Sequence, residues 1–482
     1  MSMPGVTKDN VIKATKWSAM TEILSKLVAP ISTIILARLL TPDAFGILVT
    51  ATMVISFAEI FSDAGFQKYL IQHEFASDQE MVDSANVAFL CNFAISINIW
   101  LVIFVFSDSL AEIVGCPGYG RVLVISALCI PIAAFSSIQM ALYRRKLDFK
   151  TLFYVKLVGI CVPIFVTVPL AYFTRSYWSL IIGMLALNAT NAIVLTLKSK
   201  WKPAIFFDFK LFKSMFSFSA WTLLETLLVW FTSYIDIFLV GSLLSQYYLG
   251  VYRTSMNTVA QITSVVVSAT TPVLYSALSR LQNNRAEFED LFFKFQKYVG
   301  VLLIPLGAGI FLFRDFVVDM LLGKQWADAT YFIGLWGATT PFVVIFSHYN
   351  SEVYRAIGKP KYSIVVQILH LLLLIPILLL FVRADFDDLC LARSVARLQL
   401  VLVNMCVIFF VVKVSPLRMM LNIVPSLVAT LSMSGFVVIM QKNTGVNVWM
   451  SIVLACVFYF SVILCFPKER SFLISLKRRF VK

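Results

Sequence analysis

Apolar runs of about 20 residues, the length that crosses hydrocarbon as a helix, alternate with short polar turns along the chain. Hydropathy and length predict about 14 transmembrane helices. They fall at approximately 17–38, 44–64, 84–107, 120–142, 151–173, 178–197, 214–240, 249–276, 298–318, 331–354, 363–382, 389–411, 419–440 and 447–466. Strict alternation of apolar and polar residues is absent, which argues against a β-barrel. The first run is expected to stay as an anchor, because no small-residue cleavage site precedes the turn at Thr41-Pro42.

The pattern repeats internally. Leu36-Ala37-Arg38-Leu39-Leu40-Thr41-Pro42-Asp43-Ala44-Phe45-Gly46-Ile47 returns in altered form as Val240-Gly241-Ser242-Leu243-Leu244-Ser245-Gln246-Tyr247-Tyr248-Leu249-Gly250-Val251. Leu39, Leu40 and Gly46 align with Leu243, Leu244 and Gly250 without a gap, and Trp17 and Trp221 keep the same offset. Each copy is a polar hairpin between two apolar runs. Six spans return a chain to its starting side, so the halves are parallel repeats of the kind found in alternating-access transporters. The expected fold is therefore an all-α polytopic membrane protein. It has a six-helix lobe at 1–210, a second at 211–413, and two further helices with a basic tail at 414–482.

Composition agrees: 60% of the residues are hydrophobic and 14% charged. The net charge of +14 would suggest nucleic acid in a soluble protein. Here the basic residues cluster in alternate loops. Arg144, Arg145, Lys146 and Lys150 follow span four; Lys198, Lys200, Lys202, Lys210 and Lys213 follow span six; Lys468, Arg470, Lys477, Arg478, Arg479 and Lys482 form the tail. By the positive-inside rule both termini are cytoplasmic, and no nucleic acid is expected as a partner. Two inner segments, Arg285 to Phe295 and the stretch around Phe206, Phe207, Phe209, Phe212 and Phe216, are candidates for amphipathic helices lying on the membrane. The eight cysteines are scattered and no Cys/His cluster occurs, so neither a disulfide framework nor a metal or other cofactor is expected.

Candidate functional residues are the ionisable groups inside apolar runs, which cost about 2.5–3.5 kcal/mol each to insert and so tend to face an interior. Lys26 lies one turn after Glu22 in the first span, in the order that suits an ion pair. Arg38 ends that span and Arg253 begins span eight, with Asp236 of span seven at a similar depth, able to pair with either. The two guanidinium groups are suited to grip a phosphate. Glu59 and Asp63 are candidates for coupling or pairing near the inner end of span two, and Glu352 and Arg355 for an inner gate. Arg393 and Arg397 lie one turn apart in span twelve, where like charges require an anion, a carboxylate or water; Asp385, Asp387 and Asp388 are near in sequence.

The segment from Arg38 to Gly46, with Phe61-Ser62-Asp63-Ala64-Gly65-Phe66 and Leu70-Ile71-Gln72, resembles the opening of bacterial polysaccharide transporters. These are the Wzx-type lipid-linked oligosaccharide flippases of the multidrug/oligosaccharidyl-lipid/polysaccharide superfamily. Asp236, Val240-Gly241, Leu249-Gly250-Val251-Tyr252-Arg253 and Pro272-Val273-Leu274 resemble the matching second-half segment, as does Tyr354-Arg355-Ala356-Ile357-Gly358-Lys359-Pro360. The resemblance implies two lobes around a central cavity. It implies an undecaprenyl-diphosphate-linked sugar unit as cargo, turned across the inner membrane for O-antigen, capsule or exopolysaccharide synthesis. The polysaccharide polymerase and chain-length machinery are candidate partners, alongside membrane lipid. Related family residues stand at Arg38, Asp63, Asp236 and Arg253, whereas Lys26, Arg393 and Arg397 rest on charge and depth alone. A cation antiporter of the same superfamily is the alternative; it would need a cavity rich in carboxylates. A membrane polysaccharide polymerase or ligase, the remaining class, usually carries a substantial outer loop that this chain lacks.

Overall fold

The computed structural model describes residues 8–63, 65–443, 446–467 and 469–470, apart from the side chains of 8–12, 27, 217–222, 224, 225 and 443. Ala64, the side chains of Lys8 and Trp221, and the tail residues Lys468, Lys477, Arg478, Arg479 and Lys482 lie outside the described residues. Every element among the described residues is helical. Among the described residues, thirteen segments, from Lys13–Leu39 to Pro416–Lys442, are long and apolar enough to cross a membrane, and a shorter apolar helix, Val448–Leu464, follows. Large apolar side chains face outward, as on Phe410 (76% exposed) and Leu380 (72% exposed). Such a surface suits lipid, and the chain is a multi-pass membrane protein.

The chain divides into two compact units, Met1–Arg253 and Thr254–Lys482. The first unit holds α1 (Lys8–Leu39), α2 (Pro42–Asp63), α3 (Phe66–Gln72), α4 (Asp78–Val105), α5 (Ser107–Ile113), α6 (Gly120–Ala127), α7 (Cys129–Arg145), α8 (Phe149–Val162), α9 (Val168–Thr174), α10 (Trp178–Lys198), α11 (Phe209–Leu243) and the start of α12 (Gln246–Arg280). Helix α11 packs along α2, which is why this unit extends past residue 210, where the sequence repeat divides the chain.

Prolines mark the irregularities. Pro131 has no N–H to bond back to Ala127, and its span breaks into α6 and α7 at Leu128. Between α8 and α9 a wide π-turn, Pro163–Thr167, forms, and the Val168 N–H bonds the Pro163 carbonyl five residues back.

In the second unit lie the rest of α12, α13 (Arg285–Leu312), α14 (Arg314–Leu321), α15 (Ala329–Val343), α16 (Tyr349–Ala356), α17 (Lys361–Phe381), α18 (Phe386–Ala396), α19 (Gln399–Val412), α20 (Pro416–Asn443) and α21 (Val448–Leu464). Helices α13 and α15 approach closely because Gly307 leaves room for the Pro341 ring and the Gly337 carbonyl. A second π-turn, Val344–His348, joins α15 to α16. Glu469, beyond α21, is 2% exposed and pairs with Lys297 of α13 at 2.6 Å, tying the chain after the last helix back to this unit.

Neither expected surface helix forms as such. Arg285–Phe295 is the opening of α13, a continuous helix that runs on into the membrane. The Asn284 side chain caps it by accepting the Glu287 N–H, Phe288, Phe292 and Phe293 are buried, and no breaker follows. The second stretch splits at Asp208. Residues 202–208 are non-helical, and from Phe209 the chain is already α11, whose first N–H groups bond the Asp208 carboxylate.

Arg145 holds the α3 corner in place. Its Nη1 donates to the carbonyls of Leu70 (2.9 Å), Ile71 (3.3 Å) and His73 (2.6 Å), and its guanidinium lies 4.6 Å from the Phe75 ring centroid. These carbonyls at the end of α3 have no intrahelical partner, and a cation there also opposes the helix dipole. Arg145→Ala is expected to lower unfolding free energy by about 2 kcal/mol, with Arg145→Lys intermediate, in thermal or denaturant unfolding of the purified protein.

Candidate functional site

The two copies of the hairpin meet. A Cβ on Gly46 would collide with the Gln246 carbonyl, and a Cβ on Gly250 with the Pro42 carbonyl. Gln246 is the counterpart of Pro42 in the repeat, and Gly250 of Gly46, so the contact is reciprocal: each copy's glycine receives the other copy's backbone. Polar bonds lock it. The Thr50 hydroxyl donates to Gln246 Oε1 at 3.0 Å, and Gln246 Nε2 donates to the Gly115 carbonyl at 2.8 Å. Gly115, in the left-handed region at φ 77°, leaves no room for a Cβ beside the Gly241 carbonyl. The glycines of the repeat were legible in the sequence, but the partners Thr50, Gly115 and Gln246 were not, since nothing local distinguishes them.

Two of the predicted residues, Arg38 and Arg253, lie within about one turn of this contact, whereas Glu22, Lys26, Glu59 and Asp63 lie farther along α1 and α2. Arg38 occupies the last turn of α1, one turn before Pro42, and is exposed; the Arg175 guanidinium caps that helix end at the Leu39 carbonyl, 3.2 Å away. Arg253 follows Gly250 by less than one turn and is half-buried. Asp236 is buried at 4% exposure; its Oδ2 accepts the Tyr252 hydroxyl at 3.2 Å and its Oδ1 the Ile237 N–H at 2.9 Å. Glu59 and Asp63 are half-buried on α2. Lys26 and Glu22 are both exposed on α1, and no ion pair joins them. The i,i+4 spacing permits that pair, but two exposed side chains gain little from it.

In the second unit Arg393 and Arg397, each 8% exposed, crowd onto one ring. The Arg397 guanidinium lies 3.6 Å and that of Arg393 5.1 Å from the Trp336 ring centroid. Arg397 Nη1 also donates to the Thr340 hydroxyl at 3.1 Å. The indole face, rather than sequence-adjacent carboxylates alone, helps like charges share a dry site. Further along the same seam, Asn404 Nδ2 donates to Ser347 Oγ at 2.9 Å within the π-turn, and the Tyr354 hydroxyl donates to Asn404 Oδ1 at 3.3 Å. Arg355 pairs with Glu352 at 2.9 Å; Glu352 is buried and Arg355 exposed. No sequence signal pointed to Trp336.

The family described as "Polysaccharide biosynthesis protein" matches residues 35–331, more than half of the chain. The chain belongs to that family. Relatives of this polysaccharide biosynthesis protein include the succinoglycan biosynthesis transport protein ExoT of Rhizobium meliloti, 24% identical over 334 residues, 69% of this chain and 66% of that one. The lipopolysaccharide biosynthesis protein WzxC of Escherichia coli is 19% identical over 321 residues, 66% of this chain and 64% of that one. The chain thus spans about two thirds of the length of the curated relatives it matches. Among solved structures, the lipid II flippase MurJ in an inward closed conformation superposes with a TM-score of 0.73 at 15% identity, covering 94% of this chain and 99% of that one. An inward-facing multidrug resistance transporter of the MATE family and the MOP superfamily gives a TM-score of 0.60 at 13% identity, covering 82% and 99%. The family member therefore has the fold of these transporters.

Trp336→Leu removes the π face between two guanidinium groups while keeping apolar bulk, and is expected to destabilise the protein by about 2 kcal/mol in denaturant unfolding. Cys116, next to Gly115 in the loop before α6, is 2% exposed, and burial pushes its thiol up to about 11. In a variant with the other cysteines replaced, maleimide labelling of Cys116 is expected to be slow at pH 8. It should quicken about tenfold per pH unit up to that value, because only the thiolate reacts.

Proposed function

We propose that this chain flips polyprenyl-diphosphate-linked oligosaccharide units across the bacterial inner membrane by alternating access, with both termini cytoplasmic. The observation that carries the reading is the reciprocal packing of the two hairpins through Gly46 and Gly250. Homologous segments of two repeats that interlock by backbone contact form a closure able to separate without unfolding a helix. The names of relatives, which include transport and polysaccharide biosynthesis proteins, and the fold shared with a lipid II flippase support the cargo class.

In this reading the lobes are 1–210 and 211–413, with 414–482 appended. Lys26, Arg38 and Arg253 receive the diphosphate, and Arg393 and Arg397 belong to the same basic interior. Glu22, Glu59, Asp63 and Asp236 couple or pair, and Glu352 with Arg355 closes the inner side. The polyprenyl tail stays in lipid. The polymerase and chain-length machinery of the polymer act on the delivered unit. An inside-negative potential favours outward passage of each uncompensated anionic charge by about 2.3 kcal/mol per 100 mV.

The test is reconstitution in liposomes with a labelled undecaprenyl-diphosphate oligosaccharide, scoring exposure on the far leaflet. Wild-type protein is expected to transfer it, and Arg38→Ala and Arg253→Ala to slow transfer about tenfold or more, as loss of a charge-assisted phosphate contact does. Gly46→Ala is expected to abolish transfer while leaving insertion intact, and to accelerate Cys116 labelling by holding the hairpins apart. Export of soluble cations with no lipid transfer would replace this reading with the antiporter. Normal transfer in Gly46→Ala would remove the hairpin contact from the mechanism.

A further inference from the structure

The first unit contains a second basic feature, separate from the hairpin contact. Where the loop after α7 meets the end of α10, a cavity of about 480 Å³ is lined by Tyr143, Lys146, Thr151, Lys198, Lys200 and Trp201. Its shape is fixed by the surrounding chain. Leu147 adopts the left-handed region at φ 56°, turning the backbone sharply between α7 and α8. Leu142 and Ser199, each 7% exposed, form its floor. Trp201 is pinned by its indole N–H, which donates to Asn86 Oδ1 at 3.1 Å.

The cavity keeps an excess of positive charge, with three lysines against one carboxylate in its lining. Lys146, Lys198 and Lys200 are all exposed, and none is in a salt bridge among the described residues. Lys198 lies 5.1 Å from the Tyr154 ring centroid, a contact that leaves its ammonium open to an anion. Asp148 is the one carboxylate in the lining, and it is occupied in capping α8: its oxygens accept the Thr151 N–H at 3.1 Å and the Thr151 hydroxyl at 2.8 Å. The neighbouring Lys202 is spent on the Thr196 carbonyl. Three ammonium groups around one concave cavity, with a hydroxyl from Tyr143, match a phosphate.

The surface beside the cavity states what the phosphate is attached to. Ile205 is 96% exposed, Phe207 53% and Phe209 67%, directly along the chain from Lys200 and Trp201. Water does not favour such a row of bare side chains, whereas the headgroup–acyl boundary of a bilayer does. We infer that this cavity is a binding site for the phosphate headgroup of an anionic glycerophospholipid, with Ile205, Phe207 and Phe209 set against its acyl chains. The site is distinct from that of the cargo and does not depend on the transport reading. By the charge bias of the loops it faces the cytoplasmic leaflet, where anionic lipid attracts lysine.

The experiment uses the full-length protein in a non-ionic detergent, titrated with phosphatidylglycerol, phosphatidylcholine, inorganic phosphate and undecaprenyl phosphate, with bound adducts counted by native mass spectrometry. Phosphatidylglycerol is expected to occupy one site preferentially. Each lysine removed should weaken it roughly fivefold, and Lys146→Ala/Lys198→Ala/Lys200→Ala together about a hundredfold. The corresponding triple arginine variant should retain binding, as should Lys359→Ala/Lys361→Ala, which leaves the cavity untouched. Retention of phosphatidylglycerol by the triple alanine variant, with an unchanged melting temperature, overturns the proposal. So does equal binding of phosphatidylcholine, preference for undecaprenyl phosphate, or binding of inorganic phosphate alone.

Discussion

Hydrocarbon offers no partner for a backbone amide, and that constraint governs this chain more than any contact between side chains. Each N–H and C=O in a span has to be satisfied within its own helix or by a neighbour. Helical structure is therefore the default, and information lies where the ladder is disturbed. Pro131, Pro163 and Pro169 disturb it in the first unit, and the chain answers with a break at Leu128 and a π-turn that bonds five residues back. With backbone needs met locally, helices have little left to attract one another except close fit, which explains why glycine sits at the tightest approaches.

Close fit and buried charge then divide the work between the units. In the first, the tightest place is backbone against backbone at the hairpins, with Thr50, Gln246 and the Gly115 carbonyl closing the polar groups there. In the second, a polar seam runs from the arginines on Trp336 through Asn404 and Ser347 to Tyr354. It passes the Val344–His348 π-turn, where a helix takes in one extra residue and re-aims those beyond it. Polar groups placed in this way hold their helices in one register, because any slip leaves them unpaired in a medium without water.

Much of this was legible from sequence. Hydropathy located the spans because crossing hydrocarbon sets both length and composition, and the repeat located the hairpins because Gly46 and Gly250 must stay small. What failed had a common cause. Arg285–Phe295 and Phe209–Phe216 carry the mixed polar and apolar pattern of a helix lying on a membrane, but the first turns of a helix that stands out of the membrane carry the same pattern. Only continuity with the following span tells them apart. Of the candidate residues that charge and depth proposed, Asp236, Arg393 and Arg397 are buried and Arg253 is half-buried, whereas Arg38 and Lys26 are exposed. Their surroundings were hidden, since Trp336 is distant in sequence from the arginines it serves and Tyr252 from Asp236. Arg145 read as one more inner positive charge, and its three carbonyl partners lie at and just past the end of a helix far upstream.

The reciprocal hairpin contact has the symmetry of a dimer interface, in which one patch meets its own copy across a twofold axis. Here both patches are encoded in one chain, so they are free to diverge. Pro42 has no N–H to give, while its counterpart Gln246 offers a side-chain donor and acceptor as well as a carbonyl. A symmetric pair would treat its two members alike. Divergence at these two positions makes the joint one-handed, so that a push on the first hairpin and a push on the second are no longer equivalent events.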